Sequence, residues 1–269
     1  MDWPNICSRF ALSQTFRRQL ARMTSDLFSV EGRVVIVTGA GCGNGAAIAA
    51  GLARAGARVY GLDVRYDSTD YSYRTEVCDV TDDSSLERIV HSVVEERRWI
   101  DGLVNNAGVS LPPADCYSRN NFWQTLSVNT LAPFRLGWMV AQAMKLPEGR
   151  GGSIVNVTSL GAHLGFPDNP AYQASKAALR QITRAMAVDF GRQGVRVNNI
   201  CPGYMVTAMS SASYNDPEAN EARSSRMILD RWGQSADLVG PCQFLLSDAS
   251  KYVTGIDLPV DGGWLAKGL

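Results

Sequence analysis

Apolar residues follow two rhythms along the chain. From residue 33 onward, short unbroken runs rich in β-branched residues alternate with longer stretches in which apolar residues return every three or four positions. A short continuous apolar run marks a strand buried on both faces, and the longer period marks an amphipathic helix. The runs fall at 33–37, 58–62, 74–78, 102–105, 153–158, 195–200 and 256–259, and the helical stretches at 46–55, 84–97, 121–144, 171–190 and 236–246. Strand and helix in strict alternation predict an α/β fold, a doubly wound parallel sheet of about seven strands with helices on both faces. No linker rich in Pro, Gly or Ser breaks the alternation and no short-period repeat is present, so residues 31–269 are expected to form one domain.

Residues 1–30 stand outside this pattern. Their basic segment, with Arg17, Arg18 and Arg22 and few acidic residues, bears a weak likeness to a transit peptide. The reading adopted is an appended arm that packs on its own or a neighbouring subunit. Composition narrows the function classes. Lys plus Arg number 26 and Asp plus Glu 26, so no net charge draws the chain to nucleic acid or to an anionic membrane. The cysteines Cys7, Cys42, Cys78, Cys116, Cys201 and Cys242 are widely spaced, without a Cys-x-x-Cys pair, which predicts reduced thiols and no zinc site. No stretch reaches the ~20 apolar residues of a membrane helix, and the beginning of the chain lacks the apolar core of a signal peptide. A cytoplasmic protein is the expectation.

The first chemical signal is Thr38-Gly39-Ala40-Gly41-Cys42-Gly43-Asn44-Gly45, directly after the run Val34-Val35-Ile36-Val37 and before Ala46-Ala47-Ile48. Glycines at a strand-to-helix turn let backbone approach a pyrophosphate, which rests at the helix N-terminus. An ordinary βα loop explains the glycines alone equally well. Asp63, at the end of the second predicted strand and about 20 residues on, turns the balance toward a dinucleotide site. Its carboxylate accepts hydrogen bonds from ribose hydroxyls and repels a 2′-phosphate, which predicts NAD. Arg65 would favour NADP if it turned inward; a solvated loop arginine is the preferred reading. The second signal is Tyr172-Gln-Ala-Ser-Lys176, whose i, i+4 spacing puts phenol and ammonium on one helical face, where the cation stabilises the phenolate for acid–base work.

These residues, with Asp79-Val80, Asn105-Asn106-Ala107-Gly108, Asn129, Ser159 and Pro202-Gly203-x-x-x-Thr207, stand in an order and spacing that resemble the short-chain dehydrogenase/reductase family over roughly residues 30–265. The resemblance implies a Rossmann-type fold, a homotetramer and hydride exchange between NAD(H) and a secondary alcohol or ketone. It implies that Tyr172 exchanges the proton, Lys176 lowers the Tyr172 pKa and holds the nicotinamide ribose, Ser159 bonds the reacting oxygen and Asn129 anchors a water relay. Cofactor contacts would come from Gly39, Gly41, Cys42, Asn44 and Gly45 at the pyrophosphate, Asp63 at the ribose, and Asp79 and Val80 at the adenine. Asn106 would lie alongside, and Met205 and Thr207 would meet the carboxamide. Asn44 departs from the aliphatic residue common in the family at that place.

Substrate signals are sparser. The polar stretch 208–231, with Tyr214, Asn215, Arg223 and Arg226, reads as a mobile lid over a polar small molecule. Either Arg223 or Arg226 is suited to a carboxylate or phosphate, and a solvated helix face accounts for both equally well. His163 and Asp168 are placed to contact sugar hydroxyls, with ordinary loop polarity the safer reading. The ending 252–269 resembles family members that oxidise sugars and sugar acids. Two rivals are a reductase of carrier-bound 3-oxoacyl chains, which would favour NADP and a basic surface, and a cofactor sensor without turnover, which would not need Tyr172 and Lys176.

Overall fold

The computed structural model describes residues 26–111, 117–145 and 151–267. Its seven strands are β1 (Val34–Thr38), β2 (Arg58–Asp63), β3 (Arg74–Val77), β4 (Gly102–Asn105), β5 (Gly152–Val157), β6 (Val195–Pro202) and β7 (Asp257–Val260). They form one sheet in the order β3-β2-β1-β4-β5-β6-β7, every pair parallel. The main helices are α1 (Gly43–Arg54), α2 (Asp83–Arg97), α3 (Arg119–Leu126), α4 (Ala132–Met144), α5 (Pro170–Gly191), α6 (Ser211–Asn215), α7 (Pro217–Ser224) and α8 (Val239–Leu246). Leu86, Ile89 and Val93 of α2, Leu136 and Val140 of α4 and Met186 of α5 pack on one face of the sheet, against Ile36, Leu103 and Ile154. Ile48 and Leu52 of α1 and Cys242 and Leu245 of α8 cover the other, against Val35, Val104 and Val155. The doubly wound Rossmann-type sheet expected from the alternation is the fold observed. Among the described residues no helix is long and apolar enough to cross a membrane.

Residues 1–25 of the expected arm lie outside the described residues. Of the remainder, Phe28 stacks on Phe244 at 6.1 Å, its carbonyl accepts from Gln243 Nε2, and Val30 is fully buried.

One row of residues crossing the sheet is polar. Asn105, Asn156, Asn199 and Asp257 are register partners on successive strands β4 to β7. Asn105 Nδ2 donates to Asn156 Oδ1 at 2.8 Å, Asn156 Nδ2 to Thr183 Oγ1 at 2.7 Å, Thr183 Oγ1 to Asn199 Oδ1 at 2.6 Å, and Asn199 Nδ2 to Asp257 Oδ1 at 2.8 Å. Asp257 Oδ2 then receives Arg180 and Arg184 from α5. Buried amides are costly unless bonded; bonded to one another, these tie α5 to four strands.

The stretch expected as one helix over 121–144 is broken. A π-helical turn at Ser127–Leu131 separates α3 from α4, with the Ala132 N–H donating back to the Ser127 carbonyl. Pro133 accounts for it: lacking an N–H, it cannot donate to the Asn129 carbonyl four residues earlier, and its ring crowds that turn.

Candidate active site

The chain runs outward from β1 to β3 and returns to the other side of β1 at β4, so the loops leaving β1 and β4 diverge and open a crevice at the carboxyl edge of the sheet. A cavity of about 830 Å³ lies there. Its wall includes Gly39, Cys42, Asn44, Asp63, Asp79, Val80, Asn106, Ser159, Tyr172, Lys176, Met205 and Thr207. Gly41, Gly45 and Asn129, named from the same sequence reading, are not part of that wall, and their contacts say why.

Gly41 and Gly45 shape the loop from behind. A Cβ on Gly45 would sit 1.9 Å from the Gly39 carbonyl oxygen, and one on Gly41 2.3 Å from the Arg65 carbonyl oxygen. The Gly41 N–H donates to Asp63 Oδ2 at 2.7 Å, joining the loop to the end of β2. Gly39 and Gly43 have φ of +67° and +54°, in the region that favours glycine. Asn106 closes the other side: its Nδ2 donates to the Thr38 and Gly39 carbonyls, while its own N–H and that of Ala107 share Thr38 Oγ1. Cys42 is the extended N-cap of α1 and contributes no side-chain cap, so the first N–H groups of the helix face the cavity with the positive end of its dipole. This close-packed glycine turn, the helix terminus and the Asp63 carboxylate on the same cavity wall fit a dinucleotide. Asn44 has a side-chain role of its own, accepting Ser235 Oγ at 2.8 Å.

Sequence reading missed three tyrosines that brace this corner. Tyr73 donates to the Ala40 carbonyl at 2.6 Å, Tyr71 to the Gly41 carbonyl at 3.0 Å and Tyr66 to the Gly61 carbonyl at 2.6 Å. The available signal was the crowding of aromatic residues just beyond Asp63. Arg65 is largely exposed and lies 3.8 Å from Asp67.

Across the cavity, β5 delivers Ser159 two residues past its end, and Ser159 Oγ accepts the Gly161 N–H at 3.1 Å. The first turns of α5 deliver Tyr172 and Lys176. Lys176 is buried, donates to the Val157 carbonyl at 2.8 Å and lies 5.8 Å from the Tyr172 ring centre. Burial pushes the Tyr172 hydroxyl above its ordinary value, while its hydrogen bond with Ser159 pulls the other way. Burial also lowers Lys176 to about 8. The expected lowering of Tyr172 by Lys176 therefore does not set the balance, because burial disfavours both charged forms. Asn129 stands one layer back, fully buried in the π-helical turn, bonding the Val109 N–H and carbonyl and Ser175 Oγ.

The rest of the wall mixes apolar residues, among them Val109, Leu160, Phe166 and Met209, with polar ones. Asp168, Asn169, Gln173 and Arg223 line it. His163 does not; its Nε2 is buried and has no hydrogen-bond partner among the described residues, and burial and the Arg180 charge lower its pKa. Arg226 is exposed, with its guanidinium 5.0 Å from the Trp264 ring centre. The stretch expected as a lid forms α6 and α7, neither with a buried residue. It is held by Tyr214 against Trp232 at 5.3 Å and by Trp232 Nε1 donating to Asn220 Oδ1.

Comparison with known proteins agrees with this geometry. Residues 39–265 match the family model described as enoyl-(acyl carrier protein) reductase. The chain is 38% identical over 249 residues to gluconate 5-dehydrogenase of Gluconobacter oxydans (strain 621H), covering 88% of this chain and 96% of that one. It is 38% identical over 251 residues to 2-dehydro-3-deoxy-D-gluconate 5-dehydrogenase of Bacillus subtilis (strain 168), covering 90% and 98%. The crystal structure of a gluconate 5-dehydrogenase from Burkholderia cenocepacia J2315 in complex with NADP and tartrate superposes with a TM-score of 0.84 at 31% identity, covering 90% of this chain and 99% of that one. On this match in sequence and in shape across nearly its whole length, the chain belongs to the short-chain dehydrogenase/reductase family of oxidoreductases.

Proposed function

We propose that the chain interconverts a secondary alcohol and a ketone on a sugar acid, using NAD(H), with Tyr172 as general acid/base. The observation that carries this reading is the convergence of Ser159, Tyr172 and Lys176 on the cavity wall that also holds Asp63 and the start of α1. The bound nicotinamide supplies or accepts the hydride. Tyr172 takes the hydroxyl proton in oxidation and returns it in reduction. Ser159 holds the reacting oxygen and, through its bond to Tyr172, favours the phenolate. Lys176 holds the nicotinamide ribose and Asn129 steadies the loop through Val109. Gly39, Cys42 and Asn44 line the pyrophosphate side, with Gly41 and Gly45 shaping the turn; Asp79 and Val80 form the adenine side, and Asn106, Met205 and Thr207 the nicotinamide side.

Two features support NAD over NADP. Asp63 lines the cavity at the end of β2, where its carboxylate would repel a 2′-phosphate on a bound ribose, and Arg65 lies toward Asp67. The Burkholderia relative is described with NADP, so titration of the two cofactors is the decisive comparison. The names of the relatives, and the polar groups of Asp168, Asn169 and Arg223 on the cavity wall, support a sugar acid. A cytoplasmic homotetramer is part of the same reading. Exposed Trp123, Leu131, Phe134 and Trp138, from α3 through the π-helical turn to α4, offer the apolar surface.

The test is NAD(H) and NADP(H) titration followed by a turnover screen of sugar acids, polyols and secondary alcohols, with Tyr172→Phe alongside. Tighter NAD binding and a Tyr172→Phe loss of about 10²- to 10⁴-fold in turnover are expected. Full activity in Tyr172→Phe contradicts the assigned role; tighter NADP binding contradicts the reading of Asp63; cofactor binding without turnover favours the sensor.

A further inference from the structure

Arg223 lies on the wall of the cavity that holds Ser159 and Tyr172. Other arginines nearby are spoken for: Arg231 pairs with Asp237, and Arg180 and Arg184 pair with Asp257. Arg223 is different. Its Nη1 donates to the Ala219 carbonyl one turn back on α7, and its guanidinium lies 5.0 Å from the ring centre of Tyr204, itself a wall residue. Its Nε is buried and has no hydrogen-bond partner among the described residues. A buried guanidinium N–H left unmatched is costly, and its natural complement is an anion that enters with the ligand.

The geometry selects which edge is available. With Nη1 committed to the helix carbonyl, the side of the guanidinium formed by Nε and Nη2 remains, and that side presents two parallel N–H donors at the spacing of two carboxylate oxygens. Tyr204 packs against the guanidinium. Tyr204 is in turn packed by Trp264 at 4.9 Å and Trp232 at 5.2 Å, and Trp232 holds Asn220 on the same helix as Arg223.

We propose that Arg223 is the specificity-determining residue that reads the substrate's acid group, its Nε–Nη2 edge taking the carboxylate while the carbinol lies at Tyr172. The inference rests on the sugar-acid reading above and names the residue that selects acids over uncharged polyols. It also separates Arg223 from Arg226, which is exposed over Trp264 outside the cavity wall.

The experiment measures calorimetric binding of D-gluconate, and of D-sorbitol as its uncharged counterpart, to the reduced-cofactor complex of the wild type, Arg223→Gln, Arg223→Lys and Arg226→Gln. Melting curves establish that each variant folds, and gluconate and sorbitol oxidation are assayed in parallel. Arg223→Gln is expected to weaken gluconate by about 30-fold or more relative to its effect on sorbitol, with Arg223→Lys between. Arg226→Gln is expected to bind as the wild type. Equal weakening of both ligands, unaltered gluconate binding, or no gluconate binding to the wild type overturns the proposal. Gluconate oxidation that does not depend on Arg223 overturns it while leaving the sugar-acid reading intact. Oxidation of uncharged polyols alone overturns the sugar-acid reading and the proposal with it, because no substrate then carries an acid group for Arg223 to read.

Discussion

At Lys176 the buried ammonium donates to the Val157 carbonyl, and burial lowers its pKa from 10.5 to about 8. Between those values the unfolded chain holds a proton that the folded chain has released, so this residue makes stability rise with pH, by an upper bound of roughly 3 kcal/mol. Tyr172 works the opposite way. Its raised pKa means the folded chain keeps a proton that the unfolded one begins to lose near its ordinary value, so its contribution falls as pH climbs past that point. Comparing the wild type with Lys176→Met isolates the lysine. From about pH 7.5 to about pH 9.5 the difference in unfolding free energy is expected to move in favour of the wild type, as read by urea denaturation. A difference that stays constant across that range would show that Lys176 is not buried as described. The residue types of the site were legible in the sequence because acid–base chemistry needs a phenol and an ammonium one helical turn apart. Their protonation was not, because it depends on burial by segments far apart in the chain.

The strands were readable because an all-parallel sheet demands short apolar runs, and each end was found within one residue except that of β6, which continues two residues further, to Pro202. Helix α1 begins at Gly43, inside the glycine turn, where low helix propensity and an N-cap without a capping side chain hid its start. The π-helical turn was hidden by the regular apolar spacing on either side of it, although Pro133 in mid-helix was the available mark. The polar row was hidden for another reason: each asparagine sits in an apolar run whose neighbours decide the strand assignment. Thr183 on α5 is its hinge point, accepting from Asn156 and donating to Asn199. Thr183→Val keeps the shape and removes the hydroxyl, leaving buried amide groups short of a partner. A loss of roughly 2 kcal/mol in denaturant-derived stability is expected, with Thr183→Ser close to the wild type. A loss below about 0.5 kcal/mol would mean that the amides find other partners.

For the whole molecule, the exposed apolar side chains along α3 and α4 set the outer boundary problem. Phe134 and Trp138 are each nearly half exposed and lie one turn apart, with the Arg135 guanidinium 5.4 Å from the Trp138 ring centre. On an isolated chain such a surface is costly, and a symmetric assembly covers it. Phe134→Asp with Trp138→Asp places charge in the proposed interface without touching the sheet. Sedimentation is expected to give a tetramer for the wild type and smaller species for the double variant; a wild-type monomer would remove the tetramer from the reading.

The row of amides across β4 to β7 also bears on how the chain chooses among alternative sheets. Both faces of this sheet are lined with Val, Ile and Leu, so strands shifted by a residue would still meet an apolar layer, and oiliness alone discriminates weakly between registers. Slipping any one of the four strands would turn its polar side chain, an amide on β4 to β6 and the Asp257 carboxylate on β7, toward the layer under α1 and α8 and strand the polar groups of its neighbours. At about 1–3 kcal/mol for each orphaned group, the wrong sheet is separated from the right one by polar groups that contribute little net stability to the right one. The asparagines thus act as a key to alignment, and what they fix is the common level at which β4 and β5 end and from which α5 presents Tyr172 and Lys176.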